Sequence, residues 1–179
     1  GQNVFGYYNI NNVYTQGLEL NSEWNISDFI SISGGYQLLI AKDKQAQDAF
    51  SDNQVYARLN PGESSFLLDK DDYLGLFNRS KNMANIKIFY KNVSLGLDAN
   101  IRVVYRGKYA LIDSNSNKFY DKYDNFISDY SIWDFSINKD LNKNFKMGFG
   151  MDNFFDFKNP ENISNIAGRI IYLNINVNH

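Results

Sequence analysis

Five oxygen-bearing side chains recur at a fixed spacing in one polar stretch. Asp113, Asn115, Asn117, Asp121 and Asp124 take places 1, 3, 5, 9 and 12 of a twelve-residue run. Carboxylates and amides at those places can wrap a hard cation such as calcium. Two departures weaken the match. The sixth place, where the sharp turn of such a loop wants Gly, is Lys118, and the twelfth is Asp rather than Glu. Neither flank has a helical period, and Asp and Asn are abundant throughout, so a solvated loop competes with a calcium site. No other cofactor is expected.

The remaining reactive side chains exclude more than they offer. The one His is His179 and there is no Cys. A His-based hydrolytic triad, a multi-His or thiolate metal site and a disulfide framework therefore cannot be assembled from this chain. Asp71 and Asp72 are adjacent carboxylates in a polar loop, which reads as solvated charge rather than an acid–base pair. Gly148 and Gly150 alternate within a strand and no helix follows, so they do not form a phosphate loop. The Asn-x-Ser triplets at Asn25, Asn78, Asn92 and Asn162 are what an Asn-rich chain yields by chance. No residue is nominated as catalytic, and the chain is not expected to be an enzyme.

The elements that position these residues are strands. The net charge of −2 over 179 residues gives no electrostatic footprint for nucleic acid. No run of about 18 apolar residues occurs, so no transmembrane helix is expected. Apolar and polar residues instead alternate with a period of 2. Val93, Leu95, Leu97, Ala99, Ile101, Val103 and Tyr105 share one phase, against Ser94, Gly96, Asp98, Asn100, Arg102 and Arg106. Eight strand segments are expected, at about 4–8, 13–24, 29–42, 81–90, 93–106, 130–139, 145–155 and 169–178, with no convincing helix. The only Pro residues, Pro61 and Pro160, fall between them, as suits a chain whose remainder is hydrogen-bonded strand.

Connection lengths alternate. Turns at Asn25–Asp28, Lys91–Asn92 and Asp140–Asn144 are short, whereas 43–80, 107–129 and 156–168 are long and polar. Long loops at one rim and tight turns at the other mark a transmembrane barrel, whose strands need about 9–11 residues to cross. Rings in the apolar phase fall at two levels: Trp24, Tyr90 and Phe145 by the short turns, Tyr14, Tyr105 and Trp133 by the long loops. Amphipathic rings at headgroup depth are what the two girdles of such a barrel require. The polar phase would then face a lumen, with Glu19, Gln37, Asp98, Asn100, Arg102 and Arg106 as lumen-facing candidates. Tyr56, Arg58, Phe66 and Tyr73, in the first long loop, are candidates for substrate contact, because binding residues concentrate on loops over a rigid scaffold.

Four stretches resemble, in order, the end of a known barrel family. They are Tyr8-Asn-Ile-Asn-Asn-Val-Tyr-Thr-Gln-Gly-Leu-Glu-Leu20, Ser33-Gly-Gly-Tyr-Gln-Leu-Leu-Ile-Ala-Lys-Asp43, Met151-Asp-Asn-Phe-Phe-Asp156 and Ala167-Gly-Arg-Ile-Ile-Tyr-Leu-Asn-Ile-Asn-Val-Asn178. The chain resembles the C-terminal part of the β-barrel of TonB-dependent outer-membrane receptors, and the Asn-, Ile-, Lys- and Tyr-rich style resembles Bacteroidota members. The expected fold is thus all-β: residues 1–179 as about eight strands, the C-terminal portion of a 22-stranded transmembrane antiparallel barrel. No signal peptide is visible and the first segment is short, so the chain is expected to begin inside a strand. Its end, His179, stands where the family places a terminal aromatic ring.

The resemblance implies active import of a scarce nutrient (an iron chelate, haem, cobalamin or similar) across the outer membrane of a Gram-negative bacterium. The closing strand looks less like the carbohydrate-importing branch, which favours metal chelates or haem. The implied partners are the remaining barrel strands and plug domain of the same receptor, TonB through the N-terminal part, the lipid bilayer and a surface lipoprotein, with no nucleic acid. Two other readings stand beside this: a small eight-stranded outer-membrane barrel with a structural or adhesive role, and a soluble β-sandwich binding module.

Overall fold

The computed structural model describes residues 12–60 and 62–177. The expected segment 4–8 and His179 lie outside the described residues. Seven long strands dominate the fold: β1 Val13–Asn25, β2 Ile30–Asp43, β6 Asn82–Asn92, β7 Leu97–Arg106, β9 Tyr130–Asn142, β10 Phe145–Asp152 and β11 Ile170–Val177. The intervening numbers belong to short strands: β3 Tyr56–Ala57, β4 Phe66–Leu67, β5 Tyr73–Gly75 and β8 Tyr120–Asp121. The long strands form one antiparallel sheet in the order β1-β2-β6-β7-β9-β10-β11. The sheet is unclosed, with β1 and β11 as its edges among the described residues. Each strand neighbours the next long strand in sequence, as an up-and-down barrel wall requires. Because neighbours are antiparallel, the links 26–29, 93–96 and 143–144 fall at one rim, and the links 44–81, 107–129 and 153–169 begin and end at the other.

Besides the four short strands within the long loops, a turn and a helix differ from the sequence expectation. The turn between β6 and β7 is Val93–Gly96, not Lys91–Asn92. The Asn92 side chain accepts the Leu95 N–H, and Gly96 adopts φ +56°, a left-handed conformation that suits Gly. Val93 and Leu95 therefore lie exposed in the turn, outside the strand phase. The second difference is a helix, α1, at Lys44–Ser51. Asp43 caps it by accepting the Gln45 N–H, and Asn53 at φ 58° follows its end, both ordinary terminating devices. Ala46 and Phe50, four residues apart on one face, are its buried residues.

The described chain divides into two compact units. One comprises 18–38, 80–108 and 128–177 and holds most of the long-strand sheet; the other comprises 12–17, 39–79 and 109–127. The second, here the loop unit, has its own core of Ala46, Phe50, Val55, Ala57, Leu68 and Tyr73. Phe119 meets Phe50 edge-on, and Phe66 meets Tyr123 the same way. Two small sheets, β3 with β4 and β5 with β8, pair within it. The β5–β8 pair joins the links 44–81 and 107–129, a connection between distant segments that periodicity cannot show. Among the described residues no helix is long and apolar enough to cross a membrane.

Candidate functional site

The two faces of the sheet are chemically opposite. Along one, Leu20, Ile86, Ile171 and Leu173 expose between half and two thirds of their surface, and Ile88, Ile101, Phe149 and Ile175 continue the band. Water would penalise such a face by about 25 cal/mol per Å² of apolar surface, and a patch this continuous marks a site of contact with an apolar phase. The expected lumen candidates Glu19, Gln37, Asp98, Asn100, Arg102 and Arg106 fall on the polar phase. The register joins them into rows: Asp98 opposite Asn138, Asn100 opposite Ser136, Arg102 opposite Asp134.

These rows are tied together by side chains. The Arg102 guanidinium donates through Nε and Nη2 to Asp134 Oδ2, at 2.9 and 2.7 Å. Asn100 donates to Ser136 Oγ. Asp98 accepts from Asn138 Nδ2 at 2.9 Å and from Lys146 Nζ at 3.0 Å, and Asp140 lies 3.7 Å from the same ammonium. Arg106 Nε donates to Ser80 Oγ, which donates to the Gly107 carbonyl. Glu19 accepts from Asn21 Nδ2 and lines a recess of about 280 Å³ with Gln37, Asn85, Met83 and Val104. Gly35 lies in that recess, where a Cβ would meet the Asn21 and Asn85 amides.

Sequence reasoning missed Lys146 and Asn153. Lys146 alternates correctly within β10, but its Asp98 partner sits two strands away and is invisible in the local pattern. Asn153, at φ 51°, donates to the Phe157 and Ala167 carbonyls and accepts the Phe157 N–H. Its own N–H donates to Asp134 Oδ1 at 3.0 Å. Asp134 thus fixes Arg102 on the wall with one oxygen and the base of the 153–169 link with the other.

The rings of the apolar face give it direction. Tyr36 and Tyr105 are held in one row through Ala84. Tyr36 donates to Asn82 Oδ1 at 2.6 Å, and Tyr105 is 3.4 Å from Asp129 Oδ2. Trp133 Nε1 donates to Ser131 Oγ. All three polar tips turn toward the rim of the long links. At the other rim the Tyr90 hydroxyl accepts from Asn92, and Lys139 reaches the Leu95 carbonyl of the turn; Trp24 is exposed there. Two levels of amphipathic side chains thus point their polar ends away from each other, the arrangement of an apolar slab with wet boundaries.

In the loop unit, the four substrate-contact candidates separate. Tyr56 and Arg58 are exposed. Tyr73 is buried against Phe50, and its hydroxyl accepts the Asp43 N–H at 2.8 Å. Burial pushes its phenol up to about 12. Phe66 packs partly into the same core. Both rings thus build the core of the loop that carries them. Asp72 is buried beside Lys122; burial opposes its charge, yet the ammonium and the Asp69 N–H hold its carboxyl below the usual carboxylate range.

The five residues spaced for calcium are gathered in one polar cluster. Asp113 accepts the N–H groups of Asn117 and Lys118 through its two oxygens. Asp121 accepts from the Asn115 and Asn117 amides and from the Tyr123 N–H. Asp124 accepts from Ser114 and from the Asp121 N–H, and burial raises its carboxyl above the usual value. The oxygens are thus turned onto donors of their own loop, and among the described residues no three acidic, His or Cys side chains are disposed around a common point.

Comparison with known proteins gives this geometry a lineage. No curated protein matches the chain. Among solved structures, the siderophore receptor PiuA from Acinetobacter baumannii matches at 20% identity and a TM-score of 0.53, over 81% of this chain and 18% of that one. The ferric enterobactin receptor PfeA from Pseudomonas aeruginosa matches at 17% and 0.54, over 91% and 22%. The ferric-catecholate import receptor Fiu from E. coli K12 matches at 16% and 0.53, over 81% and 17%. The chain spans about a fifth of the length of these receptors, and at such identities the likeness shows the fold. The family model described as TonB dependent receptor-like, beta-barrel, matches residues 1–154, and the chain belongs to that family.

Proposed function

We propose that the chain forms one wall of an outer-membrane transporter, energised through TonB, that imports a scarce nutrient of the metal-chelate class. The observation that carries this reading is the two-faced sheet, whose apolar side is bounded by rings with diverging polar tips. In lipid an unpaired strand edge is costly, so β1 and β11 pair with further strands of the same receptor. The polar rows from Glu19 to Lys146 face the lumen and hold a plug domain. The metal-chelate class is drawn from the matched structures, which are described as siderophore and ferric-catecholate receptors. A protein of this kind moves its ligand unchanged and is no enzyme.

The experiment is uptake of a panel of labelled ferric chelates by cells with and without the complete gene. Uptake of one member should vanish on deletion and on removal of TonB. Extraction of the receptor from cells without detergent, or uptake of the whole panel unchanged by the deletion, would overturn the reading.

A further inference from the structure

One cavity lies wholly within the loop unit and has a volume of about 410 Å³. Tyr73 and Tyr120 line its buried part, Phe77 and Phe119 its half-buried walls, and Arg79 and Lys118 its exposed margin. Phe77 and Tyr120 pack with ring centroids 5.4 Å apart. Among the described residues neither Arg79 nor Lys118 enters an ion pair. Arg79 is turned onto the Asn78 carbonyl at 3.3 Å. The one carboxylate of the lining, Asp43, is engaged as the N-cap of α1, so cations outnumber it two to one.

Lys118 is the unexpected residue. Its φ of +76° is left-handed, a conformation that Gly adopts at no steric cost. The loop holds Lys there by giving its N–H a 2.6 Å bond to Asp113 Oδ2. An unfavourable backbone kept at a position whose side chain lines a cavity points to a use for that side chain.

We propose that this cavity binds an anionic, ring-bearing small molecule, with its ring against Phe77, Phe119 and Tyr120 and its acid group at Arg79 and Lys118. The size falls in the range of small-molecule sites, roughly 300–1,000 Å³, and ring stacking with a charge-assisted hydrogen bond is the pairing that such walls and margin offer. The inference rests on reading the loop unit as part of a receptor that meets external solutes.

The test is titration calorimetry of the complete receptor in lipid nanodiscs with 1-naphthoate, the uncharged 1-naphthamide and the ringless-acid control propionate. Naphthoate should bind, and the amide, which loses the charge-assisted contact, and propionate, which loses the ring stacking, should each bind about tenfold or more weakly. Lys118→Gly should weaken naphthoate binding about tenfold while raising the thermal stability of the loop unit, because Gly relieves the left-handed backbone. Arg79→Gln should weaken binding similarly. No naphthoate binding to the wild type, equal affinity for acid and amide, or unchanged affinity in Lys118→Gly would overturn the proposal. Chelate uptake by the same receptor separates the two readings: uptake without naphthoate binding removes the cavity assignment alone.

Discussion

Tyr172 lays its ring over Gly150, its cross-strand partner between β11 and β10. A Cβ on Gly150 would meet the ring and hydroxyl of Tyr172 directly. Gly weakens a strand interior by entropy and by the missing side chain, and an aromatic ring that covers it from the neighbouring strand restores the lost contact. Gly150→Val should therefore destabilise the β10–β11 pair by about 1–3 kcal/mol, the usual range for overpacking. Adding Tyr172→Ala should recover part of that loss. A double-mutant cycle in bilayer-reconstituted receptor measures the coupling; strictly additive effects would show that the ring and the glycine are independent.

The two faces of β11 make a second prediction. Leu173 is exposed on the apolar face and Asn174 follows it on the polar one. Leu173→Lys should cost about 2–4 kcal/mol near the bilayer midplane, because the ammonium replaces an apolar side chain in lipid. Asn174→Lys should change stability less, since its exposed side chain lies on the polar face, away from the apolar one. Unfolding in liposomes reads both. Equal costs would remove the distinction between a lipid face and a wet face.

The alternation that makes this test possible was legible in the sequence, because two solvents on opposite sides of a strand impose a period of 2 on every residue. Seven of the expected strands stand within a few residues of their predicted bounds. Errors occur where local pattern and local chemistry disagree. Val93 and Leu95 continue the alternation in the sequence, but the Asn92 cap and the left-handed Gly96 turn the chain there. Helix α1 escaped notice because its eight residues show only one buried pair, Ala46 and Phe50. The burial of Tyr73 and Phe66 was not legible, because the core that holds them is assembled from segments far apart in the chain, Phe50 with Phe119 and Phe66 with Tyr123. The shared polar phase of Glu19, Gln37, Asp98, Asn100, Arg102 and Arg106 was legible along each strand, whereas the link from Asp98 to Lys146 needed the register.

Asp134 serves two donors of unequal worth. The Arg102 side chain is largely exposed, and an exposed ion pair is worth about 0–1 kcal/mol. The Asn153 N–H is buried, and leaving such a donor unmatched costs about 1–3 kcal/mol. Asp134→Ala should thus destabilise more than Arg102→Met, and the loss should be localised. Hydrogen exchange should accelerate at Asn153 and Phe157, the residues that close the 153–169 link. Equal destabilisation by the two substitutions, or unchanged exchange at those amides, would place the main role of Asp134 in the ion pair.

The loop unit carries a titration that its burial dictates. Tyr73 ionises at about 12 when folded, against an ordinary value of 10. Below pH 10 both folded and unfolded forms are neutral, and the contribution of Tyr73 is intact. Between about 10 and 12 the unfolded phenol loses its proton and the folded one keeps it, so stability falls as pH rises. The loss levels off once the folded group has also ionised. Tyr120 is shifted in the same direction by burial, so the Tyr73 component must be isolated by substitution. Tyr73→Phe should flatten part of the alkaline slope, yet lower stability at neutral pH by about 1–2 kcal/mol, because the Asp43 N–H loses its acceptor. The stability curves of the wild type and of the Tyr73→Phe variant therefore converge on the alkaline side. Tyrosinate absorbance near 295 nm, followed together with loop-unit unfolding from about pH 9 to 12.5, tests this. A Tyr73 phenol that ionises near the ordinary value of 10 would contradict its place in the core.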